Sequence, residues 1–322
     1  MKISEAIRAA EATGLARLDA QLLLLHVLGR NPHDRAWLAA HDMDPLSAVH
    51  EGAFLMLCRR RHAGEPAAYL VGTKEFHGLE LHVDARVLVP RPDTEVLVDW
   101  ALELLGAAPA QGAMPHPGAR PVIPAKAGIQ SVETGNALDS RFRGNDGRAA
   151  GEDRRDAVRI VDLGTGSGAI ALAIKKSCPF ARVEAVDASL AALEVAAANA
   201  RRLHLDVDFR HASWLGGCEE RYDLIVSNPP YVAENDPHLA ALAHEPQDAL
   251  RSGPDGLDDI RQIVAQAPAR LKPGGWLLLE HGWDQAGRVR ALLAAAGLGR
   301  VQSRRDLSGI ERATGGQLIE LG

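Results

Sequence analysis

The segment Asn228-Pro229-Pro230-Tyr231 places a side-chain amide, two prolines and an aromatic hydroxyl directly after an apolar stretch, Tyr222 to Ser227. Asn228 and Pro229 each precede a proline, which disfavours helical backbone conformation and predicts a stiff, extended turn. Such a turn holds two acceptors, the Asn228 side-chain oxygen and the Pro229 carbonyl oxygen, in fixed directions. This pair can bind both hydrogens of a planar NH2 group, with Tyr231 packed against the plane of that group.

The chemistry that suits this turn is attack by a conjugated nitrogen on an electrophilic carbon. An amide or exocyclic amine nitrogen is a weak nucleophile because its lone pair is delocalised, and two acceptors can hold it in a near-attack arrangement. The segment resembles that of methyltransferases acting on glutamine amides or nucleobase amines. The resemblance implies that Asn228, Pro229 and Tyr231 are catalytic and that these three and Pro230 bind the substrate. In isolation, the same segment is also compatible with a rigid turn that has no chemistry.

A glycine-rich loop follows the predicted strand Val158 to Leu163, and Asp187 ends the next strand about 20 residues later, where a carboxylate can bind ribose hydroxyls. A dinucleotide site requires Gly-x-Gly-x-x-Gly, whereas this loop reads Gly-x-Gly-x-Gly. The loop resembles the first motif of class I S-adenosylmethionine-dependent methyltransferases. That resemblance implies that Asp187 holds the ribose and that the following loop residues pass beneath the methionine part: Gly164, Thr165, Gly166, Ser167 and Gly168.

Trp214 lies just after the third predicted strand, where such enzymes contact adenine, and its indole offers an apolar face for a purine. A partly buried core tryptophan is the alternative interpretation. Asn228 is expected to contact the cofactor as well as the substrate. No metal is expected, because methyl transfer needs none and the three cysteines form no CxxC pair.

The elements that carry these residues alternate between strands and helices after residue 156, which predicts a Rossmann-like α/β domain with a mainly parallel sheet of seven strands. Residues 1–75 are predicted to form a small helical bundle that recognises the substrate, and residues 76–92 a linking β-hairpin. Residues 93–322 are predicted to form the methyltransferase domain. Residues 107–156 lack helical or strand periodicity and are predicted to be a disordered insertion. Asp93 or Thr94 is expected to cap the helix that follows.

Composition limits the functional class. The formal net charge of the 322 residues is −6 and only 4% of them are aromatic, which argues against a protein that grips nucleic acid through its phosphates. The N-terminus lacks the apolar core of a signal peptide, and no apolar run is long enough to span a bilayer. The sequence therefore predicts a cytoplasmic protein, without a membrane or direct nucleic-acid partner, and a monomer.

Outside the insertion, the whole chain resembles the release factor glutamine methyltransferase family. The stretches that carry this resemblance are Gly64–Gly72, Glu75–Leu79, Val89–Glu95, Asn228–Tyr231, Glu245-Pro246 and Gly256-Leu257. The resemblance implies that S-adenosylmethionine is the methyl donor and that the acceptor is the glutamine of the Gly-Gly-Gln motif in class 1 peptide chain release factors. The helical bundle would then help to recognise that protein.

Three other functions stay open. A nucleic-acid amino methyltransferase would be expected to have a basic, aromatic-rich recognition region. The related enzyme that acts on a ribosomal-protein glutamine usually carries Pro-Arg-Ser-Pro where this chain has Pro90-Arg91-Pro92. A non-catalytic cofactor-binding adaptor would have no use for the intact Asn228-Pro229-Pro230-Tyr231 segment.

Several further polar residues are not given catalytic roles. The roles of Glu95 and Glu245 stay open, and Arg91 either shapes the pocket mouth or caps a helix. Glu280 is interpreted as structural. Because the chemistry needs no general base, the same interpretation is given to His211, His238, His244 and His281.

Overall fold

The computed structural model describes residues 1–32, 34–107 and 157–319. Apart from Ala107, the predicted insertion lies outside the described residues. None of the helices in these three ranges is long and apolar enough to cross a membrane.

The N-terminal part of the chain forms a helical bundle, as predicted. Its helices are α1 (Ile3–Ala12), α2 (Arg17–Val27), α3 (Arg35–Ala40), α4 (Ala48–His62) and α5 (Ala67–Val71). Helix α2 is apolar on most faces because it packs against α1, α4 and α5 together, which buries Leu23, Leu24 and Leu25 completely. Phe54 of α4 fills the centre of the same cluster.

A β-hairpin connects this bundle to the rest of the chain, as predicted, but it spans residues 73–82 rather than 76–92. Its strands are β1 (Thr73–Phe76) and β2 (Leu79–His82), joined by a two-residue turn. His77 and Gly78 both have positive φ, 49° and 71°, as the tight turn of a twisted hairpin requires. The side chains of Phe76, Leu79 and Leu81 are buried against the main core.

The segment after the hairpin corrects one expectation. A 3-10 turn, Pro92–Thr94, leads into helix α6 (Glu95–Leu104), and neither element has a side-chain cap. Thr94 thus occupies the predicted N-cap position of α6, but neither its side chain nor that of Asp93 makes the expected capping hydrogen bond. Both side chains have other partners, since the Asp93 carboxylate pairs with Arg312 at 3.4 Å and the Thr94 hydroxyl accepts a hydrogen bond from Asn228.

The remaining elements form a seven-stranded sheet in the order β5-β4-β3-β6-β7-β9-β8, which confirms the predicted α/β architecture. Neighbouring strands from β5 to β7 are parallel, and β9 is antiparallel to β7 and β8. The strands are β3 (Arg159–Leu163), β4 (Arg182–Asp187), β5 (Asp208–His211), β6 (Tyr222–Ser227), β7 (Leu271–Glu280), β8 (Leu298–Arg305) and β9 (Glu311–Leu318). The helices between them are α7 (Ala169–Ser177), α8 (Leu190–Leu203), α9 (Asp258–Arg270) and α10 (Ala286–Ala295).

This topology places the residues singled out above at one edge of the sheet. Strands β3, β4, β6 and β7 run in the same direction, so the residues that follow Leu163, Asp187, Ser227 and Glu280 meet at their carboxyl ends. Many residues of these strands are apolar and buried, since helices cover both faces of the sheet. The polar groups at this edge come from the strand ends and from the loops that follow them.

Candidate active site

A cleft with a volume of about 660 Å³ opens at the carboxyl ends of β3, β4 and β6. Most of the residues predicted to bind cofactor or substrate line it. These are Gly164, Thr165, Gly166, Ser167, Asp187, Trp214, Asn228 and Pro230. The cleft thus brings together the glycine loop, the acidic strand end and the prolyl turn, which are up to 66 residues apart in the sequence (230 − 164).

The three remaining predicted residues do not line this cleft. Gly168 starts helix α7 with φ 84°, and a Cβ there would lie 3.0 Å from Leu172 and 3.3 Å from Ala196. Pro229 is buried behind the cleft wall, and the Tyr231 hydroxyl points to Glu280. Along the prolyl turn, Asn228 and Pro230 therefore line the cleft, while the side chains of Pro229 and Tyr231 pack into the protein.

The glycine loop is held open by Asp187. Its Oδ2 accepts a hydrogen bond from the Gly166 N–H at 2.9 Å, and its Oδ1 accepts one from the Ser189 N–H at 2.8 Å. Each carboxylate oxygen has a second acceptor site, so Asp187 still has capacity to accept from hydroxyl groups in the cleft. A Cβ on Gly166, whose φ is 55°, would meet nothing within 4 Å, so this part of the loop faces free space.

A second, fully buried carboxyl group supports the loop from below. Asp162 Oδ2 accepts from the Thr165 hydroxyl at 2.7 Å and from the Ala171 N–H at 3.2 Å, which links the end of β3 to the start of α7. Burial is the main cause that raises the pKa of Asp162 to about 7, and the nearby Asp187 charge adds to this. The other oxygen, Oδ1, has no hydrogen-bond partner among the described residues.

The prolyl turn is fixed at both of its polar ends. Asn228 Nδ2 donates to the Thr94 hydroxyl oxygen at 3.2 Å, and the Tyr231 hydroxyl donates to Glu280 Oε1 at 3.2 Å. One residue earlier, the Ser227 hydroxyl donates to the Leu163 carbonyl oxygen at 2.6 Å. That last contact ties the strand before the prolyl turn to the strand before the glycine loop.

Two families of known domains match the chain. The Methyltransferase small domain matches residues 152–255, and the PrmC N-terminal domain matches residues 2–72. A Bordetella pertussis protein named release factor glutamine methyltransferase is 46% identical over 309 residues, which cover 95% of this chain and 96% of that protein. The chain belongs to the release factor glutamine methyltransferase family.

Other members show a similar extent of likeness. The Xylella fastidiosa (Temecula1) release factor glutamine methyltransferase is 42% identical over 97% of both chains. Among solved structures, the release factor-specific protein-(glutamine-N5) methyltransferase of Alicyclobacillus acidocaldarius is 27% identical. The likeness covers 74% of this chain and 100% of that one, with a TM-score of 0.38. The two sequence relatives, at 46% and 42% identity, confirm the family resemblance read from the sequence.

Parts of the stretches that carry the family resemblance line the cleft or support its wall. Glu245, 5% exposed, accepts from the Val89 N–H at 3.1 Å and forms an ion pair with Arg91. Pro90 and Arg91 line the cleft, so this ion pair holds the cleft wall. Glu95 instead accepts from the His77 N–H at 3.2 Å and fixes the hairpin turn.

Sequence reasoning missed Asp259, which also lines the cleft. Burial raises the pKa of its carboxyl group, while hydrogen bonds from Ser252 and from the Trp214 side chain act in the opposite direction. Trp214 also lies against the glycine loop, because a Cβ on Gly164 would come within 3.3 Å of its ring. The available signal was the acidic pair at the start of α9, directly after the family-like Gly256-Leu257.

The histidines interpreted as structural lie outside the cleft lining. His211 and His244 contact the carbonyl oxygens of Ala188 and Ala63 at 2.9 and 3.0 Å. His238 is exposed beside Asp236. His281 is buried, and its Nε2 lies 2.7 Å from the Thr314 hydroxyl oxygen.

Proposed function

We propose that this protein transfers a methyl group from S-adenosylmethionine to the side-chain amide nitrogen of the glutamine in the Gly-Gly-Gln motif of class 1 peptide chain release factors. Membership of the family supports protein-glutamine methylation as the activity. The observation that carries the proposal is the orientation of Asn228 in the cleft. Its Nδ2 is engaged by Thr94, so its Oδ1 remains available as an acceptor beside the glycine loop.

The lining of the cleft fits S-adenosylmethionine. Free space over Gly166 leaves room for a ligand against the loop backbone, and the spare acceptor sites of Asp187 suit ribose hydroxyls. The Trp214 ring offers an apolar face for adenine, and its contacts with Gly164 and Asp259 restrict its orientation. When bound, this cofactor would supply a methyl group on a sulfonium, which is an excellent leaving group.

The residues of the prolyl turn would bind and orient the glutamine amide. Asn228 Oδ1 and the Pro229 carbonyl oxygen would each accept one N–H hydrogen, which orients the nitrogen for attack. Pro230 lines the cleft and Tyr231 stiffens the turn through Glu280, so both would shape the amide site. No strong base is needed, since the nitrogen carries a positive charge after methyl transfer and then readily loses one N–H proton to solvent, while the sulfur leaves as a neutral thioether.

The test is methyl transfer from labelled S-adenosylmethionine to a purified release factor, with mass spectrometry of the labelled peptide. Label on the Gly-Gly-Gln glutamine is expected. Label on DNA, RNA or a ribosomal protein in place of the release factor would favour one of the alternative substrates. Absence of label with every substrate, although the cofactor binds, would favour a non-catalytic adaptor.

The Asn228→Ala variant tests directly whether the Asn228 side chain acts as an acceptor for the substrate. Loss of one of two acceptors should lower kcat about 100-fold, the order seen when a preorganised polar contact to a reacting group is removed. Cofactor affinity, measured by calorimetry with S-adenosylhomocysteine, should change little. Asn235→Ala is the matched control, because Asn235 is exposed and outside the cleft lining. An Asn228→Ala enzyme with the wild-type rate would contradict the proposed role.

A further inference from the structure

A buried carboxyl group lies behind the prolyl turn and contacts Tyr231 at one end of it. Glu280 ends strand β7 and is 1% exposed. Its Oε1 accepts from the Tyr231 hydroxyl, and its Oε2 has no hydrogen-bond partner among the described residues. The Thr94 hydroxyl lies close enough to the carboxyl group to lower its pKa. Glu280 therefore reaches Tyr231 directly and Asn228 through Thr94.

The direction of the hydrogen bonds follows from the number of hydrogens. A threonine hydroxyl has one hydrogen and two lone pairs, and an ionised carboxylate can only accept. With Glu280 ionised, its unpartnered Oε2 is the acceptor to which the nearby Thr94 hydrogen would turn, and a lone pair of the Thr94 oxygen would then face Asn228. Only the NH2 side of the Asn228 amide can bind that lone pair. The amide oxygen must then point the other way.

This direction matters because an asparagine amide can rotate by half a turn at little steric cost. A rotated Asn228 would present its NH2 group to the substrate NH2 group, which places two donors face to face. The substrate amide would then lose one of its two acceptors. A fixed orientation therefore keeps the side chain in its accepting form before the substrate arrives.

We propose that Glu280 is a positioning residue that fixes the side-chain amide of Asn228, through the Thr94 hydroxyl, with its oxygen directed to the substrate. This inference deepens and rests on the proposed function. It gives Glu280 a role beyond the structural one expected from the sequence. It also gives Thr94 a role in the site in place of a helix cap.

The surroundings of Glu280 add a pH dependence. Burial raises the pKa of Glu280 to about 7, and the Asp93 charge acts in the same direction, while Thr94, Tyr231 and Arg312 oppose this shift. A protonated Glu280 can donate a hydrogen bond to the Thr94 oxygen, and the Thr94 hydroxyl hydrogen can then turn toward Asn228. A donor at this position favours the rotated form of the Asn228 amide, with its oxygen facing Thr94. We therefore expect kcat to rise with pH through about 7 and this dependence to disappear in Glu280→Gln.

The first experiment compares Thr94→Val with Thr94→Ser. Valine has the shape of threonine without the hydroxyl, so kcat should fall about tenfold, the order expected for one hydrogen bond that selects an orientation. Serine keeps the hydroxyl and should retain most of the rate. Thr314→Val is the matched control, since Thr314 is a buried threonine that contacts His281 and Ser303, outside the cleft. The Thr314→Val variant should have a lower free energy of unfolding and an unchanged kcat.

The second experiment is the double variant Thr94→Val/Glu280→Gln. Residues that act as one unit give non-additive losses, so the double variant should be no slower than the slower single variant. A readout independent of activity is hydrogen exchange of the Asn228 side-chain NH2 group in protein labelled with 15N at asparagine. Exchange should be faster in Thr94→Val than in the wild type.

The outcomes separate the two proposals. No label in a release factor with the wild-type enzyme would reject the proposed function. If the wild type is active, a Thr94→Val enzyme with unchanged kcat, or fully additive losses in the double variant, would reject the positioning role. If Thr94→Val does not fold, the Glu280→Gln pH profile decides, and a wild-type profile in that variant would reject the role.

Discussion

At the scale of single residues, Gly256 shows how one missing side chain shapes the prolyl turn. A Cβ at this position would lie 2.3 Å from the Tyr231 carbonyl oxygen, which Gln285 Nε2 binds at 2.9 Å. The Gly256→Ala variant must therefore displace the chain just after the turn. We expect it to lower the free energy of unfolding by about 3 kcal/mol, as overpacking in a rigid site does, and to lower kcat. Urea denaturation and initial rates measure both effects.

Gly297→Ala separates this clash from backbone strain. Gly297 has a similarly positive φ, 82°, but a Cβ there would meet nothing within 4 Å. This variant should lose only about 1–2 kcal/mol, the cost of a left-handed conformation for an alanine, and keep kcat. Equal losses in both variants would show that the close approach to Tyr231 does not matter.

The residues that face the cleft were largely predictable, whereas their supports were not. The positions of Asn228, Asp187 and the glycine loop follow from strand ends that the sequence pattern locates. Thr94 and Asn228 meet across 134 positions of the chain, and no local pattern contains that contact. Thr94 was predicted to act as a cap because threonine favours helix starts, but its hydroxyl finds a tertiary partner instead.

At the scale of elements, the connection between β3 and α7 predicts how stability depends on pH. The raised pKa of Asp162, about 7, lies above the ordinary value near 4. Between these values the folded state keeps a proton that the unfolded state has released, so the free energy of unfolding falls as pH rises from about 4 to 7. The asparagine of Asp162→Asn does not titrate. In this variant the decrease in the free energy of unfolding over the same pH range should therefore be smaller by on the order of 2–4 kcal/mol.

Urea denaturation at several pH values between 4 and 8 tests this expectation. The pKa of Glu280 is also raised, so part of the decrease in the free energy of unfolding with rising pH should remain in Asp162→Asn. The exposed Asp206 provides the control, because Asp206→Asn should keep the wild-type dependence. An identical pH dependence in Asp162→Asn and the wild type would mean that Asp162 is ionised in the folded protein.

Element boundaries were predictable where one periodic pattern is bounded by clear breaks. The sequence pattern predicts a strand at 182–187, a helix at 190–203 and a strand at 222–227, and β4, α8 and β6 have these bounds. The pattern predicts a further strand only from Trp276 to Glu280, but β7 begins at Leu271. The sequence Pro273-Gly274-Gly275 reads as a turn, yet this segment continues beside β6 through an irregularity in the register after the pair Tyr222 and Leu271.

At the scale of the whole molecule, long-range polar contacts join the N-terminal part of the chain to the cleft. His244 Nε2 contacts the Ala63 carbonyl oxygen across 181 positions, and Arg91 pairs with Glu245 across 154. Periodicity predicts the separate layers of the fold but says nothing about which side chains connect them. The connections depend on how the layers dock, which is determined by tertiary packing.

Asn199 makes the most deeply buried of these long-range contacts. It is fully buried on α8, and its Oδ1 accepts from the His82 N–H of the hairpin at 2.7 Å. Its Nδ2 donates to the carbonyl oxygens of His82 and Ser167, both at 3.0 Å. One side chain thus joins the hairpin to the glycine loop. Asn199→Ala leaves these three backbone groups without that partner and should lower the free energy of unfolding by about 2–4 kcal/mol.

Because Ser167 lines the cleft, the same variant should also weaken cofactor binding several-fold. Calorimetry with S-adenosylhomocysteine, under conditions where urea denaturation shows the variant to be folded, measures this effect. Asn235→Ala, at an exposed position, should change neither quantity. A loss of stability with unchanged affinity would mean that the glycine loop keeps its shape without the hairpin. The loop would then be held by its other contacts, among them those with Asp162, Asp187 and the Val186 carbonyl oxygen.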